Sequence, residues 1–385
     1  MITITQLASN MKPIEIEKEL KKYVFGQDEY IKKLSVIACK HMDNIKLVEN
    51  NLEPINNNAL VIGPSGCGKT YALKQLAKIL DVPFIEVDGS SLQSSNYIGH
   101  MHVRSIFNDA IARYGIEKVQ KSILFIDEFD KTLDVYMLNT TGAHLVQRDL
   151  LKLFENGSKF PIGDMRGESV KIDHEVYHSI DTRAISIICA GSYAEAYSAY
   201  QGNQYSSSDG KIGFDNDSAS KVKPVCKKFD AVDLIQMGNL PELIGRFSTI
   251  ININPLSKED IYNIFKNGRN TSLDKQRQLL KLSNVKVDYS DAFCRKIADQ
   301  IQDDNTGFRG ADKIVNHIFE EVIYTVKNEP NICFVNLDVK NDEFVITFKY
   351  NDGTKPKIIT LPKSNYVASS SPLNKTKAKY TRTIE

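Results

Sequence analysis

The chain has 385 residues, of which 42% are hydrophobic and 25% are charged, and its formal net charge is +1 at pH 7. This length is enough for two domains with large buried cores. The balanced charge gives no overall attraction to nucleic acid or to an anionic membrane, and no apolar run approaches the roughly 18 residues of a membrane span. Residues 1–12 lack the pattern of a secretion signal. We therefore expect a cytoplasmic protein without a nucleic-acid or membrane partner.

The six cysteines are widely separated along the chain, and no two of them form a CxxC pair. This spacing favours reduced thiols over a disulfide framework or a zinc site, which agrees with a reducing compartment. The cysteines are Cys39, Cys67, Cys189, Cys226, Cys294 and Cys333.

Short apolar runs alternate with helical patterns over the first two thirds of the chain. Helical spacing of apolar residues is clearest at 70–80 and 146–155. Strands that alternate with helices predict a parallel sheet covered by helices on both faces, which is an α/β sandwich. The runs that predict fully buried strands are 59–62, 84–87, 122–126, 184–189 and 249–253.

After Pro255 the pattern becomes mostly helical, with predicted helices at 258–265, 273–282, 290–302 and 311–327. Residues 344–349 and 357–361 flank an Asn-Asp-Gly turn and predict a hairpin. From residue 362 onward Ser, Thr and Lys prevail, which predicts a disordered tail. The expected organisation is an N-terminal extension 1–13, a large α/β domain 14–254, a small mainly helical domain 255–361 and a tail 362–385.

One glycine-rich loop fits the pattern GxxxxGK[ST] and lies between a predicted strand and a predicted helix. In this setting backbone N–H groups and the helix N-terminus bind phosphate oxygens. We expect Lys69 to contact the β- and γ-phosphates of ATP and Thr70 to hold Mg²⁺. A chance match in a loop would not explain the strand and helix on either side. The predicted nucleotide-binding residues are Gly63, Pro64, Ser65, Gly66, Cys67, Gly68, Lys69 and Thr70.

Two acids, Asp127 and Glu128, end the predicted strand at 122–126. We expect Asp127 to orient Mg²⁺ and Glu128 to polarise the attacking water as general base. An acidic pair after a strand is usually a surface turn, but here it follows a phosphate-binding loop. The two motifs together predict an ATP hydrolase.

Four further segments accompany these motifs: YVFGQ at 23–27, DEFDK at 127–131, NLPELIGRF at 239–247 and TGFRG at 306–310. Together they resemble the AAA+ superfamily and, within it, the ClpX branch of protein unfoldases. The resemblance extends from about residue 14 to about residue 339, most of the chain. It implies a three-layer αβα sandwich with a parallel sheet, a small helical lid domain, ATP and Mg²⁺ as cofactors, and a homo-hexameric ring. Residues 23–27, YVFGQ, resemble the segment that contacts adenine, which implies that Val24 and Phe25 bind the base.

Two arginines lie inside family-like motifs, NLPELIGRF at 239–247 and TGFRG at 306–310. The resemblance implies that Arg246 is the arginine finger for the neighbouring subunit's γ-phosphate. It also implies that Arg309 is the sensor-2 arginine of the subunit's own ATP. A delocalised guanidinium stabilises the charge of a transferred phosphoryl group well, whereas a lone surface arginine usually forms only a salt bridge. Ser192 is the candidate for the sensor-1 position.

Residues 88–99 resemble the ClpX segment that ends in the pore motif GYVG. The resemblance implies that Tyr97 and Ile98 contact a substrate polypeptide in the central channel. An aromatic ring suits this task because it offers a large apolar contact to any sequence. The chain has Asn96 where the family has Gly, and a tyrosine packed within its loop is the alternative. A second pore segment would lie near 139–146, where no gripping residue is evident.

The tripeptide Ile212-Gly213-Phe214 lies in a long polar stretch, where ClpX carries the tripeptide that docks on the peptidase ClpP. Exposed apolar residues on a polar loop suit such docking. The resemblance therefore implies a ClpP-like peptidase as a possible partner. The four-cysteine zinc domain of ClpX has no counterpart in residues 1–13, which implies a specialised choice of substrates.

The resemblance thus implies an ATP-dependent, ring-shaped protein unfoldase and translocase. Two alternatives stay open: a remodelling ATPase that works without a peptidase, and a nucleotide-switched assembly module.

Residues 174–178 match HExxH, the signature of zinc metalloproteases. That chemistry needs both histidines on one helix face, with the glutamate acting on zinc-bound water. Apolar and polar residues alternate through this stretch, which predicts a strand instead. We therefore expect no zinc site here.

Overall fold

The computed structural model describes residues 11–93, 101–133, 145–163, 170–172, 175–194, 196–198, 228–269, 271–301 and 307–361. They form two compact units. Unit 1 lies within Met1–Thr271 and Ile301–Gly310, and unit 2 lies within Ser272–Gln300 and Ala311–Glu385. The predicted domain boundaries stay a prediction, and the helix that follows the expected boundary at residue 254 belongs to unit 1.

Unit 1 alternates helices and strands along the chain. Its helices are α1 (Pro13–Leu20), α2 (Asp28–Glu49), α3 (Lys69–Leu80), α4 (Asn108–Tyr114), α5 (Ile116–Val119), α6 (Leu145–Phe154), α7 (Ala231–Gln236), α8 (Pro241–Ile244) and α9 (Lys258–Asn267). Its strands are β1 (Ala59–Ile62), β2 (Phe84–Asp88), β3 (Leu92–Gln93), β4 (Met101–His102), β5 (Ile123–Asp127), β6 (Phe160–Pro161), β7 (Val170–Ile172), β8 (Glu175–Tyr177), β9 (Ser179–Ile180), β10 (Ser186–Gly191) and β11 (Thr249–Asn252).

The main sheet has five parallel strands in the order β11-β1-β10-β5-β2. All five predicted apolar runs contribute one strand each, so the predicted parallel sheet is confirmed. The carboxyl ends of its strands meet at one edge of the sheet, which is where ligands bind in open α/β folds.

Alternate residues of the central strands face two different cores, which explains why these strands read as continuous apolar runs. In β1 and β5, one set of side chains packs with Phe107 and Leu150, and the other with Leu34 and Leu73. Helices therefore cover both faces of the sheet, as the three-layer sandwich requires. The first set is Leu60, Ile62, Leu124 and Ile126, and the second is Ala59, Val61, Ile123 and Phe125.

Unit 2 combines helices with a second sheet. Its helices are α10 (Ser272–Lys281), α11 (Asp291–Ile301, whose last residue is in unit 1) and α12 (Phe308–Asn328, whose first three residues are in unit 1). The strands β12 (Lys286–Tyr289), β13 (Ile332–Lys340), β14 (Glu343–Tyr350) and β15 (Lys357–Leu361) form the sheet in that order. The predicted hairpin is confirmed as the antiparallel pair β14–β15. The sequence did not predict β12 or β13.

Within the HExxH stretch, Glu175–Tyr177 forms β8, which pairs with β7 in antiparallel fashion, while His174 lies outside the described residues. Glu175, Val176 and Tyr177 thus lie on a strand, as the alternating pattern predicted. Successive residues of a strand alternate between its two faces, whereas the zinc motif needs a helix. In the described ranges, no helix is long and apolar enough to cross a bilayer.

Candidate active site

The phosphate loop connects the end of β1 to the first residue of α3. Gly66 and Gly68 adopt φ values of 74° and 92°, which a residue with a side chain rarely takes. A Cβ at Gly63 would lie only 2.8 Å from the carbonyl oxygen of Ile253. The glycines are therefore needed for the positive φ values of the turn and for the close approach of Ile253, which follows β11. The loop delivers its N–H groups to the N-terminus of a 12-residue helix.

Lys69 is largely buried at the base of this loop. Its Nζ donates to the carbonyl oxygens of Gly63, at 2.5 Å, and Pro64, at 2.8 Å. The Tyr30 hydroxyl of α2 donates to the Lys69 carbonyl oxygen at 3.0 Å and supports the loop from below. The lysine amine is thus already within the loop where phosphates would bind.

Cys67 is a structural member of the loop. It is 3% exposed, and its Sγ donates to the Pro64 carbonyl oxygen at 2.9 Å. Burial raises the pKa of the Cys67 thiol, so it stays neutral. Cys67 therefore shapes the loop without supplying a reactive thiolate.

Thr70 and Asp127 meet at the carboxyl edge of the sheet. The Thr70 hydroxyl donates to the Asp127 Oδ2 at 2.8 Å. Hydroxyl and carboxylate oxygens beside a phosphate-binding loop are ligands that Mg²⁺ accepts. The two residues therefore fit the predicted Mg²⁺ role. Thr70 would hold the ion directly, and Asp127 would orient it through its bound waters.

Glu128 has an exposed carboxyl group and a left-handed backbone conformation, with φ 50°. Its N–H donates to the Asp127 Oδ1 at 2.9 Å. On the other side, a Cβ at Gly89 would lie 2.7 Å from the Asp127 carbonyl oxygen and 2.8 Å from that of Glu128. The turn is therefore fixed by close neighbours while the carboxyl group stays open to water, as a general base requires.

Asp130 connects this turn to the end of β10. Its Oδ2 accepts from the Ser192 hydroxyl at 3.2 Å and from the Tyr193 N–H at 3.1 Å. Ser192, the sensor-1 candidate, therefore lies next to the acidic turn. Asp130 was not predicted as a site residue; its place in the DEFDK run is the signal that would have found it.

The predicted adenine segment lies against the start of α9. Val24 is buried in the same core cluster as Cys67, and Phe25 is half-buried. Gly26 has φ 70°, and a Cβ there would overlap the Asp260 carboxylate. Gln27 Nε2 donates to the Asn254 carbonyl oxygen at 2.9 Å. These contacts anchor the segment against α9 and the residues that follow β11.

The segment that carries Arg309 contacts the phosphate loop directly. The Phe308 N–H donates to the Gly66 carbonyl oxygen at 3.1 Å. Gly307 has φ 57°, and a Cβ there would lie 2.8 Å from the Ser65 carbonyl oxygen. Arg309 itself is exposed in the first turn of α12. The structure thus brings this predicted motif to the nucleotide loop of the same chain.

Arg246 lies elsewhere on the surface of unit 1. Its side chain is 46% exposed, and its Nη2 lies 3.5 Å from the Glu155 Oε1. Its carbonyl oxygen accepts from the Asn56 Nδ2 at 3.0 Å. An exposed ion pair of this kind holds a side chain only weakly, so the guanidinium is free to contact another molecule.

Several predicted residues lie outside the described residues. They are Tyr97 and Ile98 of the pore segment, and Ile212, Gly213 and Phe214 of the docking tripeptide.

Comparisons with known proteins agree with this geometry. The family model of the AAA domain (Cdc48 subfamily) matches residues 55–250. The ATP-dependent Clp protease ATP-binding subunit ClpX of Treponema denticola is 30% identical over 364 residues, which cover 90% of this chain and 83% of that protein. The ATP-dependent Clp protease ATP-binding subunit ClpX 2 of Wolinella succinogenes is 29% identical over 335 residues, covering 85% and 80%.

Proposed function

Since the chain belongs to the ClpX family of AAA ATPases and hydrolyses ATP, we propose that it uses this energy to unfold proteins and translocate them through a homo-hexameric ring. One observation carries the hydrolytic part of the proposal. Within unit 1, the phosphate loop contacts both the acidic turn of β5 and the segment at 307–310.

These positions support the following proposed hydrolytic roles. Backbone N–H groups of the loop and Lys69 bind the phosphates, and Thr70 with Asp127 holds Mg²⁺. When bound, the metal neutralises charge on the β- and γ-phosphates. Glu128 accepts the proton of the attacking water. Arg309 contributes positive charge from the segment beside the loop.

Arg246 is proposed to act on a neighbouring subunit. Its exposure and its weak ion pair with Glu155 leave the guanidinium available for a second chain. A finger supplied in this way makes hydrolysis depend on ring assembly. The test is the Arg246→Ala variant, which we expect to lose ATP turnover but to keep ATP binding. Turnover should return when this variant is mixed with subunits that retain the arginine.

Substrate handling is proposed for Tyr97 and Ile98 on the basis of the pore motif. The test uses Glu128→Gln as the background, since this change blocks hydrolysis and should hold substrate in the ring. A permanently unfolded, fluorescein-labelled polypeptide is the probe, and fluorescence anisotropy with ATP is the measurement. In this background we expect Tyr97→Ala to lose the bound polypeptide.

Tyr114→Ala is the matched control, because Tyr114 is an exposed tyrosine on α4 and is not part of the pore motif. It should bind the polypeptide as the background does. Equal binding by the Tyr97→Ala and Tyr114→Ala proteins would overturn the translocation proposal while leaving the ATPase assignment untouched.

A further inference from the structure

A buried side-chain amide links the acidic turn to the segment that precedes Arg246. Gln147, in the first turn of α6, has no exposed surface. Its Oε1 accepts from the Leu240 N–H at 2.9 Å, and its Nε2 donates to the Asn239 Oδ1 at 3.0 Å. The same Nε2 lies 3.5 Å from the Thr132 hydroxyl oxygen. One amide group therefore connects the turn after Glu128 with the residues that begin α8.

A second route joins the same two segments through Tyr193. The Tyr193 N–H donates to Asp130, and its hydroxyl makes a long 3.5 Å contact with the Asn239 Oδ1. Asn239 is 2% exposed, and its Nδ2 donates to the Leu234 carbonyl oxygen at 2.9 Å. Buried polar groups of this kind hold their geometry, because leaving any partner unsatisfied is costly.

An aromatic contact fixes the other end of the Arg246 segment. The ring of Phe247 lies 5.7 Å from that of Phe129 in an edge-to-face arrangement, and 5.2 Å from that of Phe154. Phe129 directly follows Glu128, and Phe247 directly follows Arg246. The backbone segment around Arg246 is therefore held on both sides by groups that also contact the hydrolytic turn of its own subunit, while the guanidinium stays exposed.

We propose that Gln147 is a positioning residue for Arg246. It fixes the position of the Arg246 segment relative to Asp127 and Glu128 of the same chain. Gln147 touches neither phosphate loop nor general base, so it acts through the segment 239–246. As a consequence, the position of the arginine finger that a subunit offers to its neighbour depends on the position of the acidic turn in the subunit that offers it. The inference rests on the proposed role of Arg246.

The first test is Gln147→Met, which keeps the length and burial of the side chain and removes its hydrogen bonds. We expect kcat for ATP to fall by about tenfold to 100-fold, since a misplacement of about 1 Å costs roughly 100-fold. The KM for ATP should stay close to that of the wild type, because the phosphate loop is not touched. An unchanged kcat would overturn the inference.

Asn57→Leu is the matched control for lost stability. Asn57 is 3% exposed and donates to the Ile37 carbonyl oxygen and to the Ser186 hydroxyl oxygen, near the amino ends of the strands. This variant loses a comparable set of buried hydrogen bonds, so its Tm should fall with its kcat unchanged. If its kcat fell as far as that of the Gln147→Met protein, the effect would be general destabilisation and the inference would be wrong.

Mixed assemblies separate the inference from the proposed function. Glu128→Gln subunits cannot hydrolyse ATP, but their Arg246 segment is intact. Added in excess to Gln147→Met subunits, they should restore turnover per hydrolysis-competent site, as they should with Arg246→Ala subunits. If turnover recovered in the mixture with Arg246→Ala subunits but not in that with Gln147→Met subunits, the role of Gln147 would be overturned and the finger role of Arg246 would be supported. Recovery with neither would overturn the finger itself.

A conservative variant adds a pH readout. In Gln147→Glu the carboxyl oxygen still accepts from the Leu240 N–H, but only the protonated acid can donate to Asn239. Burial raises the pKa of such a carboxyl group. The ratio of the kcat of this variant to that of wild type should therefore rise as the pH is lowered from about 8 to about 6. A ratio that does not change with pH would contradict the proposed link to Asn239.

Discussion

The Thr70 hydroxyl donates a 2.8 Å hydrogen bond to the carboxylate of Asp127, although the two residues belong to separate motifs 57 positions apart. Thr70→Val keeps the shape of the side chain and removes this hydroxyl. We expect a lower kcat and a higher Mg²⁺ concentration for half-maximal activity, because one ligand oxygen is lost. A Mg²⁺ titration of ATP hydrolysis measures both. Thr70→Ser retains the hydroxyl and should behave as wild type; equal defects in both variants would contradict the metal role.

Glu128→Gln should lower ATP turnover by at least about 100-fold, the usual contribution of a general base. Nucleotide binding should persist, since the carboxyl group is exposed and makes no bond to the phosphate loop. Phosphate release and binding of a fluorescent ATP analogue are the measurements. Glu117→Gln, on the exposed face of α5, is the control and should leave turnover unchanged. Normal turnover in the Glu128→Gln protein would rule out the assignment.

Gly307→Ala should weaken ATP binding. Its new Cβ would lie 2.8 Å from the Ser65 carbonyl oxygen, on a backbone with φ 57°. The segment at 307–310 must then move away from the phosphate loop, at a cost of about 1 kcal/mol or more. We expect a KM for ATP raised several-fold. Gly157→Ala has open space around its Cβ and serves as the control. An unchanged KM at position 307 would show that this contact does not support nucleotide binding.

His41 should make stability depend on pH. It is fully buried, with its Nδ1 2.9 Å from the Ser186 hydroxyl, and burial lowers its pKa from 6.5 to about 4. The unfolded chain therefore binds more protons than the folded chain between these values. Stability is full above about pH 6.5 and falls by up to about 3 kcal/mol as the pH approaches 4.

Urea unfolding at about pH 7 and about pH 5 tests this expectation for His41. His41→Gln removes the titrating group, so its difference between the two pH values should be smaller than that of wild type. An equal difference in both proteins would assign the pH dependence to other groups.

Deletion of residues 212–214 should abolish binding to a ClpP-like peptidase and spare ATP hydrolysis. The apolar side chains of Ile212 and Phe214 are the proposed docking groups. Pull-down with purified peptidase is the measurement, and a deletion of the polar residues 206–208 in the same stretch is the control. If the protein without residues 212–214 still bound the peptidase, the docking role of this tripeptide would be wrong.

Much of the site could be predicted from local sequence. The phosphate loop and Asp127 each follow a buried apolar run, and the carboxyl ends of parallel strands share one edge of the sheet. The meeting of Thr70 with Asp127 follows from that rule. The positions of Tyr97 and Phe214 lie outside the described residues, so their roles stay predictions.

The buried network around Gln147 could not be predicted in this way. Its members, Asp130, Gln147, Tyr193 and Asn239, come from four segments and share no spacing or periodic pattern. A buried glutamine also reads as an ordinary polar residue of a helix. Only tertiary packing, which sequence patterns do not encode locally, brings these amides and hydroxyls together.

The sheet of unit 2 was predicted only in part. β13 joins β14 through Asn341 and Asp342, both with positive φ, and its pairing shifts between Ile332 and Phe334. The irregularity concerns only the start of β13, and residues 335–340 alternate apolar and polar residues, which is the signal that could have predicted this strand. β12 has four residues, two of them charged, and is stabilised by its pairing with β13.

The left-handed backbone of Glu128 has a consequence for protein engineering. A residue with a side chain at φ 50° is strained by about 1 kcal/mol or more, and glycine or asparagine would relieve that strain. A selection for heat resistance alone should therefore enrich replacements at this position, and each would be inactive. Directed evolution of this enzyme would therefore need an activity screen, because a stabilising change at position 128 would remove the proposed general base.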